Sequence, residues 1–163
     1  MVASQEGGPL LLIYDSDKDG LVDKSRVYCE EVENIQGILP LNGDVFVTGD
    51  GPEGSGIYRL VDRDRNGAME DVRKIVGFKG TPGEHAAHAL VLGPDGLIYC
   101  VLGNHVGLDK PYADSSTLKA FYEGDINLPR YEDPGGHANG VKAPGGVVIR
   151  MDVDGSKVEL VAG

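Results

Sequence analysis

Leu12-Ile13-Tyr14-Asp15-Ser16-Asp17-Lys18-Asp19-Gly20 returns later in the chain as Arg59-Leu60-Val61-Asp62-Arg63-Asp64-Arg65-Asn66-Gly67. A shortened copy follows as Ile149-Arg150-Met151-Asp152-Val153-Asp154-Gly155. In each, an apolar run enters an acidic turn containing glycine, and a second run leaves it: Arg26–Cys29, Val72–Val76 and Val158–Val161. Short apolar runs bounded by Asp, Asn and Gly read as the strands of β-hairpins.

A second hairpin type lies between these. Ile38–Leu41 and Asp44–Thr48 flank Asn42-Gly43, and Ala89–Leu92 and Leu97–Leu102 flank Asp95-Gly96. Asn-Gly and Asp-Gly accept the positive φ angles of a two-residue turn, the strongest short-range hairpin signal. Pairing the two turn types in order gives repeating units of four antiparallel strands, A to D. Residues 10–32 supply strands C and D of one unit, 35–77 a full unit, and 88–162 another with a long loop insertion at 104–145. The expectation is an all-β partial β-propeller over 1–163, about two and a half blades. A β-sandwich also uses short strands and Gly-rich turns, but does not require this recurring order of turn types. A ring needs about four to eight blades, so the chain is expected to be part of a longer protein that supplies the remaining ones.

Composition agrees. Glycine fills 25 of 163 positions, about twice the usual share, as many tight turns require. The 15 Lys+Arg against 26 Asp+Glu leave a net charge of −11, which argues against nucleic acid and against an anionic membrane surface. The longest apolar run, Leu10–Tyr14, is too short to span a bilayer as a helix. No basic-then-apolar signal segment opens the chain at Met1-Val2-Ala3-Ser4. Cys29 and Cys100 sit in apolar segments far apart, which suggests buried free thiols and leaves no haem-attachment spacing in this chain.

In an up-and-down blade the A–B and C–D turns share one end, and the B–C and D–A connections share the other. The acidic turns therefore belong to one rim. His85, His88, His105 and His137 fall in or beside the connections of the opposite rim. On the acidic rim, Asp15, Asp17, Asp19 and Asp23 stand at positions 1, 3, 5 and 9 of a loop bent at Gly20, and Asp62, Asp64, Asn66 and Glu70 repeat that spacing around Gly67. Such oxygen sets suit a hard cation, so both loops are candidate structural calcium sites; Asp, Asn and Gly are also simply good turn formers. The loops resemble those of integrin-type propellers. Dockerin helices would need an apolar period of about 3.6 residues, which neither loop's flanks carry. On the histidine rim, a zinc site is a weak reading without cysteine or a His-Glu-x-x-His helix. A neutral imidazole over a pocket suits hydroxyl deprotonation, while His88, beside an apolar strand, equally suits a structural place.

His85-x-x-His88-Ala89-Leu90-Val91-Leu92-Gly93-Pro94-Asp95-Gly96 and Gly145-Gly146-Val147-Val148-Ile149-Arg150-Met151-Asp152 resemble blades of soluble quinoprotein glucose/sorbosone dehydrogenases. Gly83-Glu84-His85, Gly103-Asn104-His105, Leu128-Pro129-Arg130, Gly135-Gly136-His137 and Ala143-Pro144-Gly145-Gly146 resemble, more closely, bacterial membrane-bound-dehydrogenase-like propellers often joined to a c-type haem domain. The resemblance implies sugar or alcohol oxidation with His85, the one residue it carries over, as general base, pyrroloquinoline quinone as cofactor, and an extracytoplasmic (periplasmic) location; His88, Asn104, His105 and His137, in or beside the same rim, are pocket candidates. Tyr112, Phe121, Tyr122 and Tyr131 are candidates to stack on a sugar ring or to pack beneath the insertion. This chain alone is expected to be inactive. The competing expectation is a non-catalytic, calcium-stabilised propeller that binds carbohydrate or a protein partner and presents a haem domain.

Overall fold

The computed structural model describes residues 1–81, 83–118 and 146–163, and among them every regular element is a strand. The first sheet, in the order β1-β2-β3, contains β1 (Val2–Ala3), β2 (Leu10–Tyr14) and β3 (Lys24–Cys29). The second contains β4 (Glu33–Leu41), β5 (Asp44–Gly51), β6 (Gly54–Val61), β7 (Asp71–Gly80) and β10 (Val106–Leu108), in the order β10-β7-β6-β5-β4. The third contains β8 (Ala87–Leu92), β9 (Ile98–Leu102), β11 (Val147–Met151) and β12 (Glu159–Ala162), in the order β12-β11-β9-β8. Every pairing is antiparallel. The architecture is an all-β, partial propeller.

The turns obey the local rules that place them. Asn42 and Gly43 close β4 onto β5 with φ of 54° and 92°, the left-handed pair that matches the twist of a hairpin. Lys18 and Arg65, at matching places in the two acidic loops, also take positive φ.

Strand alternation makes the second sheet two-faced. Val45, Val47, Tyr58 and Leu60 turn to the first sheet, where they meet Leu10, Cys29, Val32 and Ile35. Phe46, Ile57, Val76 and Phe78 turn to the third, where they meet Leu90, Ile98, Cys100, Leu102, Ile149 and Met151. Burying one such side chain contributes roughly 1.5–3 kcal/mol, so these stacked faces supply the fold's main cohesion. Strands β4 and β5 are keyed to β8 by polar atoms as well. Thr48, 1% exposed, donates its hydroxyl to the His88 carbonyl at 3.0 Å. A Cβ at position 37 would stand 2.1 Å from that same oxygen, so only glycine fits there.

The chain departs from its sequence reading in two places. The half unit 10–32 gains a partner outside it, β1, whose Val2 and Ala3 pair with Leu12 and Leu11. The segment expected as loop at 104–145 begins with a strand: β10 adds a fifth member to the second sheet, Val106 opposite Gly80. Of the two places open to Tyr112, stacking or packing, it takes the second, against the core between the second and third sheets, where burial raises its hydroxyl above the usual tyrosine range. Residues 119–145 of that insertion, including Phe121, Tyr122, Tyr131 and His137, lie outside the described residues.

Candidate functional site

The β8–β9 hairpin sets one rim. Its terminal pair, Ala87 opposite Leu102, places the chain just before β8 beside the chain just after β9. Two backbone bonds clamp these segments: Gly103 N–H donates to the Ala86 carbonyl at 2.5 Å, and His105 N–H to the His85 carbonyl at 3.2 Å. Gly103 is essential to the clamp, since a Cβ there would sit 2.1 Å from the His85 carbonyl oxygen. The clamp brings the side chains of His85, Asn104 and His105 together. His85 Nδ1 lies 2.9 Å from Asn104 Oδ1, and the His85 and His105 rings stack with centroids 4.7 Å apart and planes 24° apart.

An amide oxygen only accepts, so Nδ1 of His85 carries the hydrogen and Nε2 of the neutral ring carries the lone pair. Glu84 Oε1 lies 3.9 Å from Nε2, an ion pair only when the ring is protonated. His105 Nε2 is buried without a hydrogen-bond partner among the described residues.

Beside this cluster lies a cleft of about 330 Å³ to which all three sheet regions contribute. Ser4, Gln5 and Glu6 come from the connection after β1, Asn34, Ile35 and Gln36 from β4, and Gly83, Glu84 and His88 from the approach to β8 and β8 itself. Its walls are held by their own bonds: Ser4 Oγ to the Ile35 carbonyl at 2.8 Å, Gln36 Nε2 to the Gly83 carbonyl at 2.9 Å, and Asn34 Nδ2 to Asp50 Oδ2 at 3.0 Å. The lining offers amides, a hydroxyl, an imidazole and two carboxylates, with no Lys or Arg among the described lining residues.

The acidic loops occupy the opposite ends of the strands, at the β2–β3 and β6–β7 turns. In the first, carboxylate oxygens of Asp15, Asp17 and Asp19 lie within 4.8 Å of one another; in the second, those of Asp62, Asp64 and Glu70 do so. Position 9 separates the loops. Glu70 joins its cluster, whereas both oxygens of Asp23 are bound by Ser16, from N–H at 2.7 Å and from Oγ at 2.6 Å. Asn66 turns its side-chain oxygen to the Ala68 N–H at 2.8 Å. Asp15 accepts from the Gly20 and Lys18 N–H groups at 2.8 and 2.6 Å, and the Gly20 bond chiefly holds its carboxyl below the usual range. The Ser16 hydroxyl does the same for Asp23. The shortened copy at Asp152–Gly155 is a plain tight turn, Gly155 N–H to the Asp152 carbonyl at 2.9 Å.

Of the residues expected on the histidine rim, His85, Asn104 and His105 form one cluster, and His88 lines the cleft beside it while its carbonyl takes the Thr48 hydroxyl. His137 lies outside the described residues. Among the described residues, no group of three metal-ligating side chains includes a histidine. Ser4, Gln5, Glu6, Asn34 and Gln36 were not anticipated as cleft residues. Nothing in their local pattern marks them, because only packing of the first two sheets against β8 makes them a surface in common.

A family model described as "Domain of unknown function (DUF7133)" matches residues 2–132, well over half of the 163-residue chain. No curated protein matches the chain.

Proposed function

The chain belongs to the DUF7133 family, and we propose that its histidine rim binds a neutral polyhydroxylated ligand, a sugar or polyol, in the cleft between Gln36, Glu84 and His88. The observation that carries this reading is the lining itself. Amide, hydroxyl and carboxylate groups pair with ligand hydroxyls, and the absence of a cation among the described lining residues disfavours an anionic ligand. His85, whose Asn104 contact leaves the lone pair on Nε2, is the group suited to accept a ligand hydroxyl proton.

Oxidation of the same ligand is the second reading, favoured by that His85 tautomer. The cofactor implied by the resemblance does not suit the described cleft. Pyrroloquinoline quinone carries three carboxylates, and the two ionisable acids already in the lining, Glu6 and Glu84, would repel them. No step through the quinone follows from these residues. Calcium, by contrast, suits the acidic rim: Asp15, Asp17 and Asp19, and Asp62, Asp64 and Glu70, present hard oxygen donors at close quarters. A bound ion there would tie the two ends of a hairpin together and leave the opposite rim's chemistry alone.

Titration with a neutral hexose, followed by the imidazole NMR signals of His85 and His88, tests the binding reading. Saturable shifts of both are expected, and no shift at any sugar concentration overturns it. Calcium is tested separately: heat in calorimetry and a raised melting temperature are expected, each lost in Asp15→Asn combined with Asp62→Asn.

A further inference from the structure

The cleft beside His85 is walled by two strand irregularities. Between the pairs Glu33–Asp50 and Gly37–Thr48, the β4 residues Asn34, Ile35 and Gln36 stand opposite Gly49 alone. Between Ala87–Leu102 and Leu90–Cys100, His88 and Ala89 stand opposite Val101 alone. Extra residues of this kind bend a strand and re-aim its side chains. Of these, Asn34, Ile35, Gln36 and His88 line the cleft. Asn34 takes φ of 51°, a left-handed conformation uncommon outside glycine and tolerated best by asparagine.

The third wall is a turn. Gly8 N–H donates to the Gln5 carbonyl at 3.1 Å, Gly7 takes φ of 63°, and Glu6 stands at the head between them. Ser4 fastens this turn to the β4 bulge, its hydroxyl donating to the Ile35 carbonyl at 2.8 Å.

The bonds that hold the walls leave a lopsided set of polar groups for a ligand. The Ser4 hydroxyl hydrogen, a Gln36 Nε2 hydrogen and an Asn34 Nδ2 hydrogen are all directed at protein acceptors. What remains is richer in acceptors: the Ser4 lone pairs, the Gln36 amide oxygen and the carboxylates of Glu6 and Glu84. The two carboxylates are not equivalent. Glu84 Oε1 lies 3.9 Å from His85 Nε2, whereas the Glu6 carboxylate has no hydrogen bond or ion pair among the described residues.

We propose that, among sugars, this cleft prefers one carrying a protonated amino group, with the ammonium on the Glu6 carboxylate and ring hydroxyls donating to the Gln36 amide oxygen and the Ser4 hydroxyl oxygen. This rests on the reading that a sugar's hydroxyls occupy the cleft, and adds to it the charge of the tightest ligand. An ammonium brings three hydrogens and no lone pair, so it meets a surplus of acceptors better than a hydroxyl does. The contact forms at an exposed carboxylate, where water and salt screen it, so its strength is that of an exposed ion pair.

Glucose, glucosamine and N-acetylglucosamine, each titrated into the 163-residue chain at a pH that keeps the amine protonated, decide this through the His88 imidazole signals. The three share a ring, and only glucosamine carries the charge. Glucosamine is expected to bind about fivefold tighter than glucose at low salt, and N-acetylglucosamine no tighter than glucose. The advantage is expected to shrink toward equality in about 1 M salt. In Glu6→Gln the ratio of glucosamine to glucose affinity is expected to fall to about one; a ratio within one variant is not imitated by a general loss of affinity. Equal affinities for the two in the unaltered chain overturn the preference and leave the hydroxyl reading standing. N-acetylglucosamine binding as tightly as glucosamine overturns it too, since the gain would then come from the substituent and not its charge. A preference that survives Glu6→Gln overturns the place given to the ammonium. No shift from any of the three overturns the hydroxyl reading itself, and this inference with it.

Discussion

Asn104 accepts the Nδ1 hydrogen of His85 at 2.9 Å, and the residue on either side of Asn104 secures the same histidine by other means. Gly103 admits the His85 carbonyl within reach of the backbone, and His105 stacks on its ring. One tripeptide thus fixes the position, plane and tautomer of one imidazole. In Asn104→Leu the Nδ1–H loses its acceptor, and the ring is expected to shift toward the Nε2–H tautomer, which free imidazoles adopt as readily. Nitrogen-15 chemical shifts of His85 measure this directly. Asn104→Asp keeps an acceptor and should retain the Nδ1–H form; a tautomer unchanged in Asn104→Leu contradicts the assignment.

The contact of β4 and β5 with β8 should be intolerant of small changes. Gly37→Ala places a methyl 2.1 Å from the His88 carbonyl and is expected to cost about 1–3 kcal/mol, the usual range for overpacking. Thr48→Val keeps the shape and removes the hydroxyl bond to that carbonyl, for a loss of about 1 kcal/mol. Urea midpoints rank the two, Gly37→Ala lower.

Stability should fall in acid through the turn carboxylates. Asp15, Asp23, Asp95 and Asp154 are all held below 3.8 by hydrogen bonds, chiefly from the Gly20 N–H, the Ser16 hydroxyl, the Tyr99 hydroxyl and the Ser156 hydroxyl respectively. Because the folded values lie below the unfolded ones, the unfolded chain binds more protons in acid. The contribution is complete above the ordinary aspartate value and is lost as pH falls through the folded values. The melting temperature is therefore expected to decline below about pH 4, more gently in Asp15→Asn. A flat profile in that window would contradict it.

Neither thiol should react in the native protein. Burial pushes Cys100 up to about 12 and also raises Cys29, and they belong to separate cores on opposite sides of the second sheet. A thiol reagent is expected to label both only on unfolding, with no disulfide between them, as a mass spectrum of the quenched reaction will read.

Much of this fold is written locally. Asn42-Gly43 and Asp95-Gly96 mark their hairpins by backbone preference, and the alternation through Val45-Phe46-Val47 marks a strand with two buried faces. The placement of the acidic turns and His85 at opposite ends then follows from counting strands. Less legible were β1, too short to show a period, and β10, three residues at the start of what reads as a loop.

Gly37 and Gly103 show where the local reading stops. In sequence they look like any glycine near a turn, yet neither takes a positive φ; each is needed because a carbonyl from another segment, that of His88 or His85, comes too close for a side chain. The sequence alone determined which stretches turn and which extend, since φ preference and the two-residue period act between neighbours in the chain. Only the tertiary structure decided that Asn104 orients His85 and that Gln36 and Ser4 share a cleft with His88. Those relations depend on how separate sheets stack, and stacking is set by the summed burial of many distant side chains.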